Sequence, residues 1–251
     1  LGGLTAYKEL HALLPAGDFV YFGDTGRVPY GSRSREILTR YARQDIRFLL
    51  RQGADVILAA CGTVSSVVLD DITSDFSIPL FGVVDASVNA ALAATKNEKI
   101  GVIGTGATIS SGAFAKKIAA ANPHAAVTSI ACPLFVPLVE NGYIGRGCTV
   151  TREVAADYLA PLRDEGIDTL ILGCTHFPII ADIIGDLLPG VTLVNSGAAA
   201  AAEVAAVCGK TSGSGSASFF VSDSPVNFDT VARVFLGGET IRAQKVDIEA
   251  Y

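Results

Sequence analysis

The 251-residue chain contains no methionine and no tryptophan, and only three histidines and five cysteines. It has no CxxC pair and no Cys/His spacing of the kind that holds zinc, and its odd cysteine count disfavours a disulfide framework. The thiols therefore read as free. No apolar run is long enough to span a bilayer, and no charged segment followed by an apolar one marks a signal peptide. These absences point to a cytoplasmic protein with no membrane partner. Excess basic charge is missing too: 19 Lys and Arg stand against 25 Asp and Glu, a formal net charge of −6. The densest basic stretch, Arg33 to Arg51, is interrupted by Glu36 and Asp45 as a solvated helix face would be, so no nucleic-acid partner is expected. The start at Leu1, with no methionine anywhere in the chain, leads to the expectation that further residues precede it.

What is present is an apolar, weakly charged chain, 50% hydrophobic and 18% charged, of a length at which one core tends to split into two. Short β-branched runs alternate with helical patterns along nearly the whole sequence, the signature of repeated βαβ units and a largely parallel sheet. Strands are predicted at Phe19 to Phe22, Val56 to Ala60, Pro79 to Val84, Lys99 to Ile103, Val127 to Ile130, Thr169 to Leu172, Val191 to Val194 and Phe219 to Val221. The clearest helix runs from Ser34, its N-cap, to about Gln52, with Ile37, Leu38, Tyr41, Phe48 and Leu49 on one face. The Gly/Ser-rich stretch Thr211 to Ser218 reads as a mobile surface loop.

Two segments are alike. Ala54 to Ser65 and Ile167 to Pro178 each read as a buried strand that ends at a cysteine, Cys61 or Cys174, with a helix following. Ligands of open α/β sheets bind beyond the carboxyl ends of the strands, where both thiols fall. A lone buried cysteine is usually a small hydrophobe. Two in matched settings instead suggest a pair of acid/base groups able to work on opposite faces of one carbon, without the electron sink of pyridoxal phosphate, for which no site is recognisable. A helix N-terminus after each thiol is expected to lower its pKa. Gly62 and Thr63, and Thr175 and His176, then present N–H and hydroxyl donors to an anionic substrate.

Five segments carry a family resemblance: Phe22 to Gly31 (FGDTGRVPYG), Ala60 to Thr63 (ACGT), Ile103 to Thr108 (IGTGAT), Cys132 to Glu140 (CPLFVPLVE) and Leu172 to Pro178 (LGCTHFP). In order and register they resemble the successive motifs of bacterial glutamate racemases. The resemblance implies an α/β fold of two similar flavodoxin-like or Rossmann-like domains with mainly parallel sheets and the active site in the interdomain cleft. The first would comprise residues 1–84 plus 193–251 and carry Cys61, and the second residues 85–192 and carry Cys174. It implies a cofactor-independent isomerase, usually a homodimer, that supplies D-glutamate for peptidoglycan synthesis and cell shape. Cys61 would take the proton from D-glutamate and Cys174 from L-glutamate. His176 would orient the Cys174 thiol with Glu140 in support, while Tyr30, Gly31, Gly62, Thr63, Thr175 and His176 would contact substrate. Two departures stand out: Gly62 occupies a position where the family usually has Asn, and the family's first-motif Asp and Ser would fall upstream of Leu1.

The remaining candidates read as structural. Cys132, Cys148 and Cys208 lack a comparable setting, and His11 and His124 read as surface residues. Gly101 to Gly106 lacks full G-x-G-x-x-G spacing, which makes it weak evidence for NAD. Asp24 and Arg27 suit either a loop ion pair or a role in shaping the pocket. Three alternatives stay open: an aspartate or other small-acid racemase, a dehydrogenase-like nucleotide binder, and a non-catalytic small-molecule binding module.

Overall fold

Nine strands, all paired in parallel, organise the computed structural model, which describes residues 1–251. They are β1 (Phe19–Gly23), β2 (Ile57–Ala59), β3 (Leu80–Gly82), β4 (Lys99–Gly104), β5 (Ala126–Ala131), β6 (Thr169–Leu172), β7 (Thr192–Asn195), β8 (Ala217–Val221) and β9 (Ala243–Lys245). One sheet has the order β5-β4-β6-β7; the other strands form the ribbons β1-β8-β9 and β2-β3. β4 is buried at every residue but Lys99, and β6 throughout, because helices cover both faces of that sheet. Alternate residues serve alternate faces. Ile100, Val102 and Ile171 pack with Val84, Val88, Phe114 and Ile118, whereas Ile103, Leu170 and Leu172 pack with Leu159, Leu162, Ile183 and Ile184.

The chain leaves β4 to form β5 on one side and returns to form β6 on the other. The reversal opens a crevice at the carboxyl ends of β4 and β6, the usual ligand site of such sheets. Thr105 and Cys174 stand at that crevice. The first half approaches it from across the seam: helix α1 (Gly3–Leu13) packs on the helix Ser196–Cys208, which in turn packs on the helix Val83–Ala94. β7 pairs with β6, so the second sheet runs through Asn195 and the expected return at residue 193 falls inside a strand.

Helix α2 (Arg35–Arg51) starts where its sequence says it should: the Ser34 hydroxyl accepts the Ile37 N–H at 3.4 Å. Its buried face carries Leu38, Tyr41, Ala42, Ile46 and Phe48. Three elements differ from expectation. The run Pro79 to Val84 turns to helix at Val83, since the β2-β3 ladder ends at Ala59 and Gly82. β9 is an exposed edge strand of Ala, Gln and Lys, with no apolar pattern to betray it. The Gly/Ser stretch is anchored: Asp18 Oδ1 accepts the backbone N–H groups and hydroxyls of Ser214 and Ser216 at 2.7–3.1 Å, and Ala217 and Ser218 already belong to β8. Those hydrogen bonds, the Ser214 hydroxyl first, hold the Asp18 carboxyl at about 2.

Asp18→Ala removes the acceptor common to those donors. Tryptic cleavage after Lys210 is expected to accelerate several-fold in that variant while the overall melting temperature changes little; an unchanged cleavage rate would count against the anchor.

Candidate active site

Cys61 follows β2 and is the N-cap residue of the short helix α3 (Gly62–Val67), without a side-chain cap hydrogen bond. Cys174 follows β6, and the His176 N–H offsets part of the burial that raises its thiol. Although they come from different sheets, the two thiols line one cavity of about 1380 Å³ that runs on as far as Asp18 and Ser212, and all nine expected site residues are among its lining: Tyr30, Gly31, Cys61, Gly62, Thr63, Glu140, Cys174, Thr175 and His176. The sulfurs are near enough that charge on Cys61 raises the pKa of Cys174.

The Cys174 side has a relay. His176 Nδ1 lies 3.8 Å from Cys174 Sγ, and its Nε2 lies 2.9 Å from Glu140 Oε1. The hydrogen bond from His176 holds Glu140 below its usual pKa, which makes it the acceptor. Nε2 therefore carries the hydrogen, and the lone pair of Nδ1 faces the thiol. Burial lowers the His176 pKa and favours this neutral imidazole. Cys61 has no imidazole partner; burial raises its thiol, and the nearby Val64 and Thr63 N–H groups offset only part of that.

The electrostatics correct one expectation. Burial raises both thiols, Cys174 to about 12, rather than the helix termini lowering them. A helix N-terminus is worth ~0.3–1 kcal/mol, under one pKa unit, whereas burial shifts an ionisable group by up to ~3–5 units. Moreover α3 is a six-residue helix, and Cys174 leads into a 3-10 turn, Phe177–Ile180, before any α-helix begins. The one thiol with a lowered pKa is Cys148, the N-cap of the sixteen-residue helix Thr149–Asp164, stabilised by Thr151 through its backbone N–H and its side chain and by the Val150 N–H. Cys132 lies fully buried close to Cys174, and burial lifts its thiol to about 12.

Several positioning residues escaped the sequence reading. The Thr105 hydroxyl meets those of Thr63 and Thr108 at 3.0 Å each, joining the β4 turn to the Cys61 turn. Only its place in the Gly-Thr-Gly-Ala-Thr motif hinted at this. Thr5 donates to the Thr175 carbonyl at 3.1 Å, tying α1 to the Cys174 turn. Tyr30 lines the cavity, but its hydroxyl is engaged by Asp24 and, at 3.2 Å, by Asp45, so a substrate contact from this residue falls to its ring or backbone. Arg27 closes that network with bonds to Asp24 at 2.7 Å and Asp45 at 2.8 Å, and stacks over Tyr41 at 4.1 Å. Burial, reinforced by the Asp24 charge, pushes Asp45 up to about 8. Asp24 and Arg27 thus form the ion pair that was one of the two roles open to them.

Two parallel α/β halves that bring one thiol each to a common cavity define a protein suited to moving protons at a single carbon centre. The chain belongs to the Asp/Glu/hydantoin racemase family, whose sequence profile matches residues 12–204. The glutamate racemase of Geobacter metallireducens is 41% identical to it over 257 aligned positions, covering 100% of this chain and 94% of that protein. Among solved structures, glutamate racemase from Francisella tularensis in complex with D-glutamate superposes with a TM-score of 0.90 at 34% identity, covering 100% of this chain and 95% of that one. The Thermus thermophilus enzyme in complex with β-chloro-D-alanine gives 0.89 at 39% identity, covering 100% and 94%.

Two outcomes are expected of the titrating groups. In the free protein at neutral pH, iodoacetamide should label Cys148 before Cys61 or Cys174, whose labelling should accelerate with rising pH; peptide mapping that finds either of the latter first would contradict the burial effect. Asp45, with a folded pKa of about 8 against 3.8, contributes stability that is complete at low pH and is lost as pH rises through about 8. The melting temperature of Asp45→Asn should therefore gain on the wild type between about pH 5 and pH 8; a constant difference would show that Asp45 is ionised throughout.

Proposed function

We propose that the chain interconverts L- and D-glutamate without a cofactor, with Cys61 and Cys174 alternating as base and acid on opposite faces of the α-carbon. The observation that carries this reading is the shared cavity: two thiols from separate sheets, coupled through their charges, among donors suited to a carboxylate. The full-length relatedness to glutamate racemases, one of them crystallised with D-glutamate, supports the substrate. In the direction from L-glutamate, the Cys174 thiolate takes the α-proton, the electron pair spreads into the α-carboxylate, and the Cys61 thiol delivers a proton from the other side. Cys61 is then the thiolate and serves as the base for D-glutamate, so each turnover leaves the protein ready for the reverse reaction. His176, backed by Glu140, takes the Cys174 proton when the thiolate must form and, since Cys174 then regains a proton from the substrate, releases it to solvent.

Burial has two effects here. It makes each thiolate rare, and it makes the thiolate that does form a stronger base towards a weakly acidic C–H bond. A neutral imidazole beside Cys174 offsets the first effect without removing the second. For the carboxylate we assign the N–H groups and hydroxyls of Thr63 and Thr175 and the N–H of Gly62. On the same resemblance we place the protein in the cytoplasm as a homodimer that provides D-glutamate for the cell wall. An aspartate racemase is the second reading, favoured by one observation: Gly62 offers substrate no side chain.

Replacing Cys61 or Cys174 by Ser should lower racemisation by about 10²–10⁴-fold in either direction, measured by chiral chromatography. Undiminished activity in both variants would end the two-thiol mechanism. Incubation in deuterated water should place deuterium at the α-carbon of glutamate; labelling of aspartate alone would move the assignment to the second reading.

A further inference from the structure

Gly62 follows one thiol and Gly173 precedes the other, and the two glycines meet backbone to backbone across the seam. A Cβ built on Gly62 would lie 2.2 Å from the Gly173 carbonyl oxygen, 3.3 Å from its carbonyl carbon and 3.8 Å from the Cα of Cys174. The φ of Gly62 is not positive, so this position requires glycine for room and not for an unusual backbone conformation. Nor is Gly173 free to retreat. Its N–H donates to the Ile103 carbonyl at 2.7 Å, continuing the β6-β4 ladder, and its own Cβ would meet the Ile103 carbonyl oxygen at 2.8 Å. The same seam is drawn tight at Gly31, whose Cβ would sit 3.1 Å from the Cβ of Thr105, and at the Thr63 to Thr105 hydroxyl bond of 3.0 Å.

We propose that Gly62 is the spacer that sets how closely the Cys61 and Cys174 turns approach, a positioning residue for the proton-transfer pair beyond any contact its N–H makes with substrate. The role rests on the two-thiol reading above. Any side chain at position 62 collides first with a carbonyl fixed in the second sheet, so the turns must separate by about 1 Å to restore van der Waals distance. A displacement of that size at reacting groups lowers rates by up to ~10²-fold. The Asn of the resembling family would need the same retreat here, so this chain brings its two turns closer than a side chain at this position permits.

Gly62→Ala tests the spacer, with Gly62→Asn as a second variant should the first not fold. Racemisation kcat is expected to fall about 10- to 100-fold in both directions while KM changes little. A decisive readout is the ratio of solvent deuterium incorporated with retained configuration to deuterium incorporated with inversion. When the far thiol stands too distant, the carbanion is reprotonated by the thiol that formed it, after that thiol has exchanged with solvent, and the ratio rises. A mere loss of folded protein lowers both quantities together and leaves the ratio unchanged, which would overturn the proposal, as would a wild-type kcat in either variant. Cys61→Ser and Cys174→Ser assayed alongside keep the two ideas apart: if they abolish racemisation while the position 62 variants match wild type, the thiol mechanism stands and the spacer fails.

Discussion

Removing and returning a proton on opposite faces of one carbon requires two groups that face each other across a gap the size of that carbon, and a single strand-to-helix turn supplies only one. In the proposed mechanism the protein meets this constraint by carrying its thiols on two sheets and letting the seam between them form the site. Much else follows from it. Each cysteine sits two residues beyond the end of a short parallel strand, where the chain leaves the sheet. The seam is built from glycines and threonines because bulk there would hold the turns apart, and because hydroxyls such as those of Thr63 and Thr105 can bridge the halves at 3.0 Å without filling the gap.

Burial governs the chemistry as firmly as it governs the fold. A thiol exposed to water ionises readily but is a modest base, whereas one surrounded by protein ionises reluctantly and abstracts more strongly. Cys174 lies at the second extreme, and it is the thiol equipped with an imidazole and a carboxylate. Cys61, raised as well, draws on N–H groups from its own turn. The two faces of the site are thus chemically unequal even though the turns that carry them are alike. Since the equilibrium between enantiomers in water is fixed at one, unequal faces alter only how the two directions divide into binding and rate.

The sequence made the architecture legible because parallel sheets write themselves as continuous apolar runs. KIGVIG and TLIL became β4 and β6 with almost no adjustment, and Ser34 capped α2 as its spacing implies. β9 was not legible because an edge strand needs only backbone hydrogen bonds on one side and leaves its side chains free to be Ala, Gln and Lys. The anchoring of Ser214 and Ser216 was hidden for another reason. Its acceptor, Asp18, is nearly two hundred residues away in sequence, and Gly/Ser composition reports flexibility without reporting partners. All nine expected site residues meet in one cavity, yet the direction of the thiol pKa shifts was unreadable, since it turns on how much protein surrounds each sulfur.

The buried cluster beneath Tyr30 bears on the same constraint. Asp24, Arg27, Asp45 and Tyr30 carry three acidic groups and one guanidinium, and burial is tolerable for such a set only if protons are shared within it. A protonated Asp45 leaves Arg27 between Asp24 at 2.7 Å and the exposed Glu249 at 3.3 Å. This hydrogen-bonded support fixes the Tyr30-Gly31 turn against Thr105. Thr105 in turn holds Thr63 beside Cys61. The cluster therefore acts on the thiols through position, since the contacts that lead from it to Cys61 are neutral hydroxyls and backbone.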